Sequence, residues 1–175
     1  MKIPFLNLEP MHIEIKDEIL DTFEKLYDKN SFILGDSVAS FEKEFAKYCN
    51  ADYCISCGNG LDALSIILRG YDISEGDEVI VPSNTFIATA LAVSYVGAKV
   101  VFVDPDIKTF NIDVNKIENA ITPKTKAIIA VHLYGRPAEI DKIKVICNKY
   151  NLKLIEDAAQ SHGAVYNGKK TGCLG

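Results

Sequence analysis

The chain has 175 residues, enough for one ordinary domain, and 48% of them are apolar with no biased tract, which excludes a disordered or fibrous protein. Its 19 basic and 24 acidic residues form no long run of either sign, so there is no electrostatic footprint for a nucleic-acid backbone or an anionic membrane, and the expected partner is a small molecule. No stretch is apolar for long enough to cross a bilayer, and residues 1–10 lack the apolar centre of a signal peptide, so a cytosolic location is expected.

Ile15, Ile19, Phe23 and Leu26 recur at helical spacing, and after a turn at Gly35, Asp36 and Ser37 so do Val38, Phe41, Phe45 and Tyr48. These two helices form an N-terminal lead-in. From residue 53 the pattern changes to short, near-continuous apolar runs at 53–56, 78–81, 100–103, 127–131 and 152–155. Runs of this length alternating with helical segments predict strands buried on both faces of a mainly parallel sheet, so the fold class is α/β. The helices between them carry Leu61, Leu64 and Leu68, then Phe86, Ala90 and Val93, then Ile140, Ile143 and Cys147 behind Pro137 at a first-turn position. No repeat, linker or domain boundary interrupts the chain.

The cysteines, at 49, 54, 57, 147 and 173, are too unevenly spaced for a secreted disulfide framework. Cys54 and Cys57 form a C-x-x-C, but no second pair completes a structural zinc site, and no metal is expected. Buried core thiols are the simpler reading, with a redox pair as the alternative.

In open α/β sheets ligands bind beyond the carboxyl ends of the strands, so the residues after each apolar run are the candidates. After the first run, Asn59, Gly60 and Leu61 lead into a helix whose free N–H groups offer a phosphate site, although a plain strand-to-helix turn has the same appearance. Gly58, Gly60 and Ala63 also match G-x-G-x-x-A, but a dinucleotide site needs a carboxylate at the far end of the next strand. That strand ends in Pro82, Ser83 and Asn84, with Asp77 and Glu78 at its start. Phe86 opens the following helix as either core or a platform for a flat ligand. After the last run come Glu156, Asp157 and Gln160. The plain reading is that Asp157 caps the next turn while Glu156 faces solvent, and the alternative is that the carboxylates are functional. His162 reads as structural, and residues 168–172 read as a polar turn rather than a phosphate loop.

The segments Asn59-Gly60-Leu61-Asp62-Ala63-Leu64, Pro82-Ser83-Asn84-Thr85-Phe86, Asp104-Pro105, His132-Leu133-Tyr134-Gly135 and Glu156-Asp157-Ala158-Ala159-Gln160, in that order, resemble the DegT/DnrJ/EryC1/StrS family of pyridoxal-phosphate-dependent sugar aminotransferases. The resemblance runs from Ile3-Pro4 to the last residue. It implies the large domain of fold type I, incomplete at its C-terminus and without the small C-terminal domain. It also implies a pyridoxal 5'-phosphate site. Backbone N–H groups of Gly60 and Leu61 would take the phosphate, with Asn59 compensating for a hydroxyl that many relatives have. Phe86 would stack on the pyridine ring, Asp157 would pair with its nitrogen, and Gln160 would contact its hydroxyl.

The implied reaction moves an amino group, with glutamate as the expected donor, to a keto group of a nucleotide-linked deoxysugar. The Phe32-Ile33-Leu34-Gly35 loop and residues 59–64 look most like members acting at C3 of a dTDP-linked 3-keto-6-deoxyhexose. The family's Schiff-base lysine follows the stretch that matches Gly168 to Gly175, so none of these 175 residues is expected to be the nucleophile and this chain alone is expected to be silent. Lys169 and Lys170 match a surface turn. Shared active sites imply a homodimer. Two alternatives stay open: a dehydratase with histidine at the lysine position, and a non-catalytic cofactor-binding module.

Overall fold

The structure, a computed structural model, describes residues 3–175, so Met1 and Lys2 lie outside it. The chain divides into two compact units, one ending at Lys43 and the other spanning Glu44–Gly175. The sequence gives no sign of this boundary because it falls inside a helix with no Gly or Pro break. The first helix, α1 (Glu9–Asp28), begins with Pro in its first turn, where the missing N–H costs nothing. None of its residues is buried. The second, α2 (Asp36–Cys49), buries only Ala46.

The second unit is built on a four-stranded sheet in which every pairing is parallel, as the doubly buried runs predict. Its strands are β1 (Glu78–Pro82), β2 (Lys99–Val103), β3 (Thr125–Val131) and β4 (Lys153–Asp157), in the order β2-β1-β3-β4. The helices α3 (Gly60–Gly70) and α4 (Ile87–Tyr95) cover one face, and α5 (Val114–Ala120) and α6 (Ile140–Tyr150) cover the other. The period of two along the strands explains this division. Val79, Val81 and Ile129 pack with Leu68 and Val93, whereas Ile80 and Ile128 pack with Ile117 and Ile143 on the opposite side. Each fully buried side chain of this kind contributes roughly 1.5–3 kcal/mol.

Several expectations need correction. Residues 53–56 form no strand of the sheet. A strand needs a ladder as well as apolar composition, and here Tyr53 and Ile55 are left 85% and 81% exposed. Helix α5 lacks the length for a clear periodic signal and is set by its cap, the Asp113 side chain accepting from Asn115 N–H. Phe86 is the N-cap of α4 rather than part of its packed face, and Pro137 precedes α6 instead of opening it. Cys147 is buried, and burial pushes its thiol up to about 11, but Cys57 is exposed and Cys54 is partly so, against the expectation of buried thiols. Residues 165–170 do form the expected polar turn, as a hairpin of β5 (Val165–Tyr166) and β6 (Lys169–Lys170). Asn167 and Gly168 supply the two positive φ angles such a hairpin needs. No helix among the described residues is long and apolar enough to cross a membrane.

Candidate functional site

The strand order reverses between β1 and β3, since the chain passes from β1 outward to β2 and then returns to the other side of β1. Crevices at such switch points, beyond the carboxyl ends of the strands, are where open α/β sheets bind ligands. A cavity of about 440 Å³ lies there, large enough for a small cofactor. Asn59, Gly60, Leu61, Phe86, Asp157 and Gln160, the six residues expected to surround a ligand, all line it. Thr85 and Val131, at the ends of the β1 and β3 segments, complete the wall.

The wall formed by the start of α3 follows from its cap. Asn59 Oδ1 accepts from Asp62 N–H at 3.0 Å, and Asn59 Nδ2 donates to Asp62 Oδ2 at 3.0 Å. The side chain is therefore committed to the helix end, and the first-turn N–H groups of Gly60 and Leu61 are left without helical partners. A Cβ on Gly60 would meet nothing within 4 Å, so the backbone is bare on an open side. An Asn59→Ala substitution is expected to destabilise the protein by about 1 kcal/mol, read by urea denaturation, and to loosen anion binding at this turn.

Asp157 ends β4 and is half-buried. Its Oδ2 accepts from Thr89 Oγ1 at 2.8 Å and its Oδ1 from Ala159 N–H at 3.2 Å. Thr89 is fully buried and lies 2.9 Å, hydroxyl to hydroxyl, from Thr85. The carboxylate therefore caps the following turn, as expected, and is also fixed from below by a relay from Thr89 on α4 to Thr85 just ahead of that helix. That relay was not expected, although two threonines four residues apart across the start of an apolar helix are a readable signal.

Glu156 does not face solvent. Its side chain is 5% exposed and lies 2.8 Å from the fully buried His132 at the end of β3. His132 Nδ1 accepts from Ala138 N–H at 3.0 Å, so the ring proton is on Nε2 and is donated to Glu156. The same carboxylate accepts from the N–H groups of Gly172, Leu174 and Gly175. Burial acts to raise the Glu156 pKa, but His132 and the backbone donors outweigh it and hold the carboxyl below its ordinary value of 4.5. Glu156 thus ties β3 and β4 to residues 172–175 and is not available to the cavity.

His162 is exposed and makes an edge contact with Phe45 at 6.0 Å between centroids, consistent with a structural role. Lys170 lies over the Tyr48 ring, 3.3 Å from its centroid, and donates to Tyr48 O. Phe110 and Tyr134, outside the cavity lining but joined to it through Thr85, Val131 and Gln160, have φ of 62° and 56°, a region that costs non-glycine residues about 1–3 kcal/mol each.

This architecture, with a mainly parallel sheet, covering helices on both faces and a cavity at the switch point, is that of the fold type I pyridoxal-phosphate enzymes. The sequence pattern of the DegT/DnrJ/EryC1/StrS aminotransferase family matches residues 13–175, and the chain belongs to that family. It is 54% identical over 173 residues to a dTDP-3-amino-3,6-dideoxy-alpha-D-galactopyranose transaminase of Aneurinibacillus thermoaerophilus, covering 99% of this chain and 48% of that one. Its structure superimposes on DesV of S. venezuelae with a TM-score of 0.94 at 43% identity, covering 98% of this chain and 46% of that one. Against NtdA of Bacillus subtilis, solved with bound PMP, the TM-score is 0.90 at 41% identity, covering 97% and 39%. The chain therefore spans about half the length of the relatives it matches, or less.

The cofactor expectation, pyridoxal phosphate, holds, and the residues present fit it. A helix start with a bare glycine suits a phosphate, an aromatic ring 70% exposed at Phe86 suits a flat heterocycle, and a carboxylate fixed by Thr89 suits a ring nitrogen.

Proposed function

We propose that the whole protein transfers an amino group to the keto group of a nucleotide-linked deoxysugar, with glutamate as donor and a dTDP-linked 3-keto-6-deoxyhexose as acceptor. The observation that carries this reading is the convergence of Gly60, Phe86 and Asp157 on one cavity, in a chain whose relatives include a dTDP-3-amino sugar transaminase. The protein would work in the cytoplasm as a homodimer, the arrangement in which fold type I sites are shared between subunits.

The proposed roles are specific. Gly60 and Leu61 bind the cofactor phosphate through backbone N–H groups at the positive end of α3, while Asn59 holds that end open. Phe86 orients the ring by stacking. Asp157 holds a proton on the ring nitrogen, and Thr89 keeps the carboxylate aimed. Gln160 contacts the ring hydroxyl through its amide, since its Oε1 already accepts from Tyr134 N–H at 2.8 Å. Pyridoxal phosphate, when bound, supplies an electron sink for the pair left on carbon when a proton is removed. The lysine that anchors the cofactor and moves that proton is proposed to come from sequence outside these residues. Lys169 and Lys170 belong to the β5–β6 hairpin, where Lys170 is engaged with Tyr48, and neither lines the cavity.

A Phe86→Ala substitution is expected to weaken pyridoxal-phosphate binding by about 3- to 10-fold, the loss of one aromatic stack, without lowering thermal stability. Equilibrium dialysis measures it. The function itself is tested by supplying glutamate and a dTDP-linked 3-keto sugar to the whole protein loaded with pyridoxal phosphate and following 2-oxoglutarate release, and failure with every nucleotide-linked keto sugar would refute the reading.

A further inference from the structure

Most non-glycine residues with positive φ among the described residues are Asn or Asp, which tolerate the left-handed region. Phe110 and Tyr134 do not belong to that class, yet both adopt it and their rings meet edge to face, 6.5 Å between centroids. The surrounding bonds hold them there. Phe110 N–H donates to Asp106 O at 2.8 Å, and Asn84 Nδ2 donates to Phe110 O at 3.0 Å. Tyr134 N–H donates to Gln160 Oε1. Between the two loops the buried Asn111 accepts from Leu133 N–H at 3.0 Å and donates to Arg136 O at 2.9 Å. The result is an aromatic pair fixed in place but still 50% and 76% exposed, which burial alone does not account for.

Its position narrows what it serves. Gln160 lines the cofactor cavity and bonds directly to Tyr134, while Thr85 and Val131 line both that cavity and the narrow cleft beneath Phe110. A substrate whose reacting carbon lies against the cofactor brings the ring bearing that carbon to this rim. The same two loops carry the exposed cations Lys108 and Arg136, with Arg136 Nη1 donating to Lys108 O at 3.4 Å. The nearby Asp106 carboxylate is turned onto the N–H groups of Lys108 and Thr109. An aromatic face beside two cations matches a sugar ring followed by a diphosphate.

We propose that Phe110 and Tyr134 form the subsite for the pyranose ring of a nucleotide-linked sugar, with the C–H face of the sugar on the Tyr134 ring. The proposal rests on the aminotransferase reading and adds residues to it. Backbone strain held for binding has a consequence that packing does not share: relieving it stabilises the protein while weakening the ligand.

The test is calorimetric titration of the holoprotein with dTDP-glucose and with dTDP, together with thermal denaturation. Tyr134→Asn should raise the dissociation constant for dTDP-glucose about 5- to 10-fold. It should leave dTDP within about twofold and raise the Tm by about 2 °C. Tyr134→Phe should leave both affinities unchanged. An unchanged dTDP-glucose affinity in Tyr134→Asn overturns the proposal whatever the Tm does, and so does an equal loss for both probes or a fall in Tm. If the unsubstituted holoprotein binds neither probe, the functional reading falls with it, whereas the other failures leave that reading standing.

Discussion

Asp157→Asn is expected to lower turnover by about 1,000-fold, the cost of removing one charge aimed at the reacting system. Asparagine keeps the size of the side chain; its Oδ1 can still accept from Ala159 N–H while its Nδ2 donates to Thr89 Oγ1, whose hydroxyl proton can turn to Thr85, so the fold and the turn at Ala159 should survive. What it removes is the negative charge that would keep the ring nitrogen protonated. Pyridoxal phosphate would be a weaker electron sink without that charge beside its ring nitrogen. Steady-state kinetics of the whole protein, loaded with pyridoxal phosphate, with its amino donor checks this, alongside a urea midpoint to show that stability is intact. If turnover falls less than tenfold while the midpoint holds, Asp157 is a turn cap and no more.

Glu156→Ala is expected to cost about 3–5 kcal/mol of stability, because it leaves a buried histidine and several backbone donors without their acceptor. The adjacent Glu156 and Asp157 therefore separate cleanly in experiment, one through stability and the other through chemistry. The pH dependence has a definite sign. The folded-state pKa of Glu156 lies below its ordinary value of 4.5, so its contribution is fully present above that pH and is lost as the pH falls through the depressed folded value. In Glu156→Gln this part of the acid unfolding limb should flatten, which urea titrations between pH 3 and 6 would show as a smaller loss of stability on acidification.

The strands 78–81 and 127–131 were legible because a chain segment buried on both faces has only one composition available to it, and 100–103 and 152–155, though partly exposed, share that apolar composition. Residues 53–56 carry the same composition outside the sheet, and composition alone does not say which apolar runs join it. The cavity residues were legible as a set, since the ends of parallel strands converge wherever the sheet is open. The partner of Glu156 was not. It depends on the register that sets Ala130 beside Glu156 and Val131 beside Asp157, which places His132 at the same sheet end from 24 residues away. Asn59 was read as a possible phosphate contact, and its role as the cap of α3, set by the distance to Asp62, was not read. The left-handed aromatics left no trace, because Phe and Tyr are the residues least expected there.

The central claim is that the cavity at the β1–β3 switch point holds pyridoxal phosphate through the start of α3 and the end of β4. The most direct test is retention of the cofactor after exhaustive dialysis, followed by its absorbance, for the protein and for a Gly60→Val variant whose side chain would project beside the phosphate. Stoichiometric retention by the protein, with loss in the variant at unchanged thermal stability, is the predicted result. Equal retention by both, or none by either, would contradict it.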